Sequence, residues 1–204
     1  LCYYAMLLCY YATMLLCYAT IYRSGFDAIV TDDDLHETYL PAWRAAVQLA
    51  NATGAMSASE TRTRNLLIPH PGQEMTLFAS RCRCSYNAIN SVPACADGAL
   101  LNDLMRNTWG FDGWVISDAG AVQKIYNSSD GGHDFAHDFL HASADAINGG
   151  CDIDYGDCFA SKGPLADALT ADLVNLSAVT RAARRTLRAR MRVGQLDAPG
   201  SRAD

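Results

Sequence analysis

A chain of 204 residues that is 50% hydrophobic and 19% charged carries enough apolar material for a packed core, which excludes a disordered or fibrous protein. Its formal net charge of −6 argues against nucleic acid as the main partner, because phosphate backbones select a clustered excess of Lys and Arg. Eight cysteines are too few per residue for a small disulfide scaffold, and with no CxxC pair they offer no cysteine-based zinc site.

Residues 1–20 form an imperfect tandem repeat, LCYYAML, LCYYATML and LCYAT, with no charge before Arg23. The stretch is long enough to span a membrane, but Tyr, Cys and Thr dilute its apolarity. It also lacks the initiator Met, basic start and small-residue cleavage site of a signal peptide. We read 1–22 as low-complexity sequence outside the fold and expect no membrane partner.

From Arg23 the texture becomes that of a domain. Phe26 to Val30 is a short apolar segment, and Asp34-Leu35-His36-Glu37 has the capping-box spacing that opens a helix. That helix is expected over about Asp34 to Ala50, with Trp43, Val47 and Leu49 on its buried side. Gly54 to Ser59 reads as a strand. Glu60 to Arg83 then shows no helical or strand period, and a run of that length inside a compact domain argues for an insertion, read as 60–85.

After it, Ser85 to Asn90 leads into the turn Ser91-Val92-Pro93. Asp97 caps a helix whose apolar positions Leu100, Leu101, Leu104 and Met105 recur at steps of three and four. Gly113-Trp114-Val115-Ile116-Ser117-Asp118-Ala119-Gly120 is a buried strand stopped by a carboxylate at a tight turn. In parallel α/β folds that end of a strand is where chemistry is placed, though an aspartate there also caps helices. By the period of two, Trp114 and Ile116 share the side of Asp118 and are expected to fill the interior.

His133 to Asn148 reads as a helix closed by Gly149-Gly150, Cys151 to Asp154 as a short strand, and Leu165 to Val193 as helical. The last is expected to bury Val174, Val179, Ala183, Leu187 and Met191. His133, His137 and His141 fall at four-residue steps, which on a continuous helix places them on one side. Without a Glu in an H-E-x-x-H pattern they read as a hydrated helix surface, and no metal is expected. The arginines between Arg181 and Arg192 likewise read as a solvated side. The alternation of helices and strands implies βαβ units and a parallel sheet, in a barrel or a doubly wound arrangement. Three strands are too few to close a (β/α)8 barrel, which needs about 250 residues.

These segments together resemble glycoside hydrolase family 3, above all its β-xylosidase branch. The resemblance rests on Phe26-Asp27-Ala28-Ile29-Val30, on Asp34-Leu35 with Glu37 to Trp43, and on Cys84 to Asn90 with Val92 to Ala96. It continues through Trp109 to Gly113 with Ser117-Asp118, Gly150 with Asp152-Ile153-Asp154, and Gly194-Gln195-Leu196-Asp197. It implies an α/β fold, a partial TIM (β/α)8 barrel covering about strands six to eight within residues 23–199. Residues 60–85 are then read as an insertion, a translated intron or gene-model error, and 200–204 as a tail.

Asp118 matches the family's nucleophile and Tyr86 a tyrosine that bonds it or packs against the sugar. The implied activity is retaining, exo-acting hydrolysis of β-linked glycosides in xylan catabolism, with no cofactor and an oligosaccharide or aryl glycoside as substrate. β-Glucosidase, α-L-arabinofuranosidase and a non-catalytic remnant are the alternatives. The family's acid/base glutamate belongs to a second domain downstream, so the chain by itself is expected to be inactive.

Two departures stand out. Ala119 replaces the usual Cys or Trp after the nucleophile, and Ser91 replaces a Gly in a turn that favours positive φ. An extracellular location is expected. There Cys84 and Cys95 could pair, although spacing does not establish it, and Asn51, Asn127 and Asn175 begin glycosylation sequons.

Overall fold

The computed structural model describes residues 25–49, 81–126, 129, 131–160, 162–192 and 195–196. The repeat 1–22, the strand expected over 54–59, residues 60–80 of the expected insertion, the sequons at Asn51 and Asn127 and the tail 200–204 lie outside the described residues. Among the described residues no helix is long and apolar enough to cross a membrane.

β1 (Asp27–Ala28) pairs in parallel with β3 (Ala88–Ile89), which turns back antiparallel to β4 (Val92–Pro93). β2 (Arg81–Cys84) runs parallel to β5 (Trp114–Ser117), with Arg81 opposite Trp114 and Cys84 opposite Ser117. On the other edge of β5, Ile153 bridges in parallel to Ile116. β5 therefore has a parallel neighbour on each side, the arrangement expected of βαβ units. β2 falls inside the last residues of the stretch read as an insertion, so the sheet begins earlier than the sequence period indicated.

The first helix opens at Thr31, whose hydroxyl accepts the Asp34 N–H at 3.1 Å. α1 (Asp32–Asp34) passes through a π-wound turn (Leu35–Tyr39) into α2 (Leu40–Gln48), which buries Leu40 and Val47. Leu49, expected on the buried side, is 85% exposed because the helix ends before it. α3 (Ala99–Thr108) is π-wound and buries Leu101, Met105 and Arg106, and Asp97 caps it by accepting the Leu100 N–H at 2.9 Å. α4 is Ala121–Tyr126 and α5 is Phe139–Gly149.

α5 does not begin at His133. Gly131 and Asp134 both have positive φ, and the helix starts only after Asp138, whose carboxylate accepts the His141 N–H at 2.8 Å. At its other end Gly150 adopts φ 111°, as the paired glycines predict.

The final helical stretch divides into α6 (Pro164–Thr170) and α7 (Leu176–Arg192). The buried stripe of α7 lies one residue away from the expected one: Ala178 and Ala182 are buried, while Leu187 and Met191 are 49% and 64% exposed. Small alanines let α7 pack beside Ala144, Ile147 and Leu165, and this register also turns Arg185 inward to Asp152. The arginines are largely spent within the chain: Arg188 and Arg192 both reach Asp112, at 3.5 and 2.8 Å.

A buried ionic clip ties the entry of β5 to that of the Ile153 strand. Arg106 donates to Asp152 at 2.7 Å and to the carbonyls of Gly113 and Gly150, and the Asp152 carboxylate also accepts the Val115 N–H at 2.8 Å. Burial pushes this carboxyl up, and the guanidiniums of Arg106 and Arg185 oppose that.

Cys84 and Cys95 are joined by a disulfide, and the buried Cys151 sulfur lies 3.6 Å from that of Cys84. Burial pushes the Cys158 thiol up to about 12, which keeps it protonated at neutral pH.

The turn between β3 and β4 places Asn90 at φ 49° and Ser91 at φ 68°, where a side chain is strained. Ser91 is held there by Asp27, whose carboxylate accepts its N–H at 2.9 Å and its hydroxyl at 3.0 Å. Ser91→Val, which adds β-branching and removes the hydroxyl, is expected to destabilise the chain by about 1–3 kcal/mol. A urea midpoint unchanged from that of the parent chain would contradict this.

Candidate active site

Asp118 follows the last residue of β5, where the strand passes into the turn before α4. Its N–H donates to the Cys84 carbonyl at 2.8 Å, so the disulfide-bonded end of β2 fixes its backbone. Its own carbonyl accepts the Ala121 N–H at 3.0 Å, and its Oδ1 accepts the Ala119 N–H at 2.8 Å. Gly120 makes the turn possible at φ 71°. The result is a half-buried carboxylate at the C-terminal end of a strand flanked by parallel neighbours.

The two faces of β5 differ. Val115 and Ser117 are fully buried, Val115 against residues of α3, α4 and α5, whereas Trp114, Ile116 and Asp118 are half-buried on the other face, the shared side that the period of two indicates.

Tyr86 comes to the same rim. Its hydroxyl donates to the carbonyl of Ala119, the residue after Asp118, at 2.6 Å. Its backbone carbonyl receives the Nε2 of His133 at 2.6 Å, and because a carbonyl only accepts, that nitrogen carries a proton. The loop histidine was placed on a helix surface by sequence reasoning. Gly131-Gly132 just before it is the signal that could have excluded the helix.

Beyond Asp118, the Ser117 hydroxyl donates to Asp154 at 2.9 Å and accepts the Tyr155 N–H at 2.7 Å, while Asp154 accepts the Cys158 N–H at 2.8 Å. This network locks the ends of the two neighbouring strands together, and sequence reasoning did not anticipate it. A polar cavity of about 260 Å³ lined by Asn102, Arg106, Asn148, Asp152, Arg181 and Arg185 lies at the opposite, entering end of β5. It is thus remote from the rim that holds Asp118.

The family model described as the glycosyl hydrolase family 3 N-terminal domain matches residues 80–189, more than half of the chain. The chain belongs to glycosyl hydrolase family 3. Its N-terminal domain is an α/β, TIM-barrel-like fold, in agreement with the fold class expected from the sequence.

Among relatives, this family 3 chain is 32% identical over 180 residues to a probable exo-1,4-beta-xylosidase of Aspergillus oryzae, covering 87% of the chain and 18% of that protein. It is similar in structure to a family 3 exo-beta-xylosidase solved with a xylobiose aziridine activity-based probe, at TM-score 0.67 and 31% identity, over 87% of this chain and 19% of that one. A β-glucosidase from Erythrobacter marinus gives TM-score 0.63 and 27% identity over 85% of this chain and 19% of that one. The chain thus spans less than a fifth of the length of these proteins.

Proposed function

We propose that this family 3 chain carries the nucleophile of a retaining, exo-acting β-glycosidase of the β-xylosidase type. In this reading Asp118 is the nucleophile, Tyr86 lies in the substrate site, and the substrate is an oligosaccharide or aryl glycoside. The observation that carries the reading is a half-buried carboxylate at the C-terminal rim of a parallel strand, in a chain of this family.

An ionised carboxylate there attacks the anomeric carbon as the leaving oxygen takes a proton. The resulting glycosyl-enzyme is then opened by water, so two inversions give net retention. The hydrogen bond from Ala119 N–H aims one carboxylate oxygen, which leaves the aspartate with a fixed orientation for in-line attack. Tyr86 clamps the peptide after the nucleophile through the Ala119 carbonyl.

β2, β5 and the Ile153 strand are assigned to about strands six to eight of the barrel. Residues 1–22 are assigned to sequence outside the fold. An insertion within 60–85 is retained, ending before β2. An oxidising, extracellular location is supported by the Cys84–Cys95 disulfide. A β-glucosidase activity is the second reading, favoured by the 27% identity to the β-glucosidase neighbour.

The proton donor of this chemistry sits about 5–5.5 Å from the nucleophile in retaining enzymes, and we assign it to a domain downstream of this segment. Aryl β-xyloside turnover is therefore expected from a polypeptide that includes that domain and not from the 204-residue chain. Robust turnover by the chain alone, abolished by Asp118→Asn, would overturn the division of labour. Absence of turnover from both would overturn the glycosidase reading.

A further inference from the structure

We propose that His137, Asp138 and His141 form a binding site for one divalent transition-metal ion of the zinc, nickel and copper class. The site is separate from the Asp118 rim and does not depend on the glycosidase reading. In the sequence His137-Asp138-Phe139-Leu140-His141, the helix starts between the two histidines. Asp138 is extended at φ −159° and ψ 175°, and this bend at the helix cap folds the His137 ring back over the first turn of α5. The two imidazoles meet edge to face, with centroids 3.8 Å apart and planes at 86°.

The three side chains each offer one ligand atom within 4.8 Å of the others. His137 Nδ1 lies 3.6 Å from one Asp138 oxygen, and His141 Nδ1 lies 2.7 Å from the other. Ligands held at about 2.0–2.2 Å around a tetrahedral ion stand roughly 3.4 Å apart. The first separation already fits. The second opens by a rotation of the His141 ring when the Nδ1–H···O bond is exchanged for a metal bond and the proton of the neutral ring resides on Nε2.

Two imidazole nitrogens with one carboxylate oxygen suit zinc, nickel or copper rather than calcium or magnesium, which take oxygen ligands. The cation meets the positive end of the α5 dipole, an unfavourable contact. Asp138 offsets it directly. The side chains of His137, Asp138 and His141 are 70%, 51% and 36% exposed, so water completes the coordination sphere. A bound ion would staple the His133 loop, which rests on the Tyr86 carbonyl, to the first turn of α5.

The test is calorimetric titration of the full 204-residue chain with Ni²⁺. His137→Gln/His141→Gln is the site variant, and His36→Gln controls for histidines elsewhere. Asp138→Asn removes the charge while keeping a side chain that caps the helix equally well. The expected result is a loss of affinity of at least about 10-fold in the double variant, a smaller loss in Asp138→Asn and none in His36→Gln.

A second measurement needs no variant: Cu²⁺ at substoichiometric levels should broaden the imidazole resonances of His137 and His141 before those of His133 and His36. Equal affinity in the parent chain and the double variant, or broadening that begins at other histidines, overturns the proposal. So does the absence of any titratable binding to the parent chain.

Discussion

Asp118→Gly, made in the enzyme completed by its downstream domain, is expected to lower kcat on an aryl β-xyloside by about 10⁴-fold or more. Added azide should restore turnover. The small anion enters the space left by the carboxylate and attacks the anomeric carbon once, so the product is a glycosyl azide of inverted configuration. Two inversions give retention in the parent enzyme and one gives inversion in the variant, which is what separates a nucleophile from an aspartate that only shapes the turn. Folding should survive the change, because Asp118 is only half-buried and the Ala119 N–H that its carboxylate accepts belongs to an exposed residue.

The second large effect concerns stability. Asp152 is 1% and Arg106 5% exposed at the side chain, and the pair is joined at 2.7 Å. Asp152→Ala removes the carboxylate paired with the buried Arg106 guanidinium and the acceptor of the Val115 N–H. Breaking one member of such a pair costs about 3–5 kcal/mol, readable as a lower urea midpoint.

Arg185→Ala should cost less. Its side chain is 23% exposed, water replaces part of the contact, and Asp152 keeps Arg106. A loss in Asp152→Ala no greater than that in Arg185→Ala would show that the clip does not hold β5 to the Ile153 strand.

The strand end at Asp118 was legible because a short apolar run of β-favouring residues gives way there to a carboxylate, and the turn residues Ala119-Gly120 follow at once. Gly149-Gly150 marked the end of α5 because a left-handed cap is a local property of the backbone. The start of α5 was not legible from a four-residue recurrence of histidines: periodicity has no force where Gly131 and Asp134 take positive φ.

Arg81-Cys82-Arg83-Cys84 ends a long run without period, where four residues are too few to signal a strand, and only pairing with β5 identifies it. The register of α7 was missed for a different reason. Leu187 and Met191 are the more apolar choice for a buried side, but the two alanines pack more closely and bring Arg185 to Asp152. The Arg106–Asp152 pair spans 46 residues and has no local sequence signature.

The pairing of Cys84 with Cys95 depends on β2 and the turn after β4 approaching each other, which spacing alone leaves open. At Ser91 the sequence signals a strained position only on condition that the turn takes positive φ, and the turn does so. What the sequence does not display is Asp27, sixty-four positions away, holding it in place.

The most direct test of the central claim is covalent trapping. The completed enzyme is incubated with a 2-fluoro xyloside bearing a dinitrophenolate leaving group, which departs without a proton donor and leaves a long-lived glycosyl-enzyme. Digestion with trypsin places Asp118 in the peptide Asn107 to Lys124, which also contains Asp112. Fragment sequencing is predicted to find the fluoro-xylosyl group on Asp118. Attachment to Asp112 or to a residue outside this peptide, or an enzyme that turns over xyloside while Asp118 stays unmodified, would contradict the account.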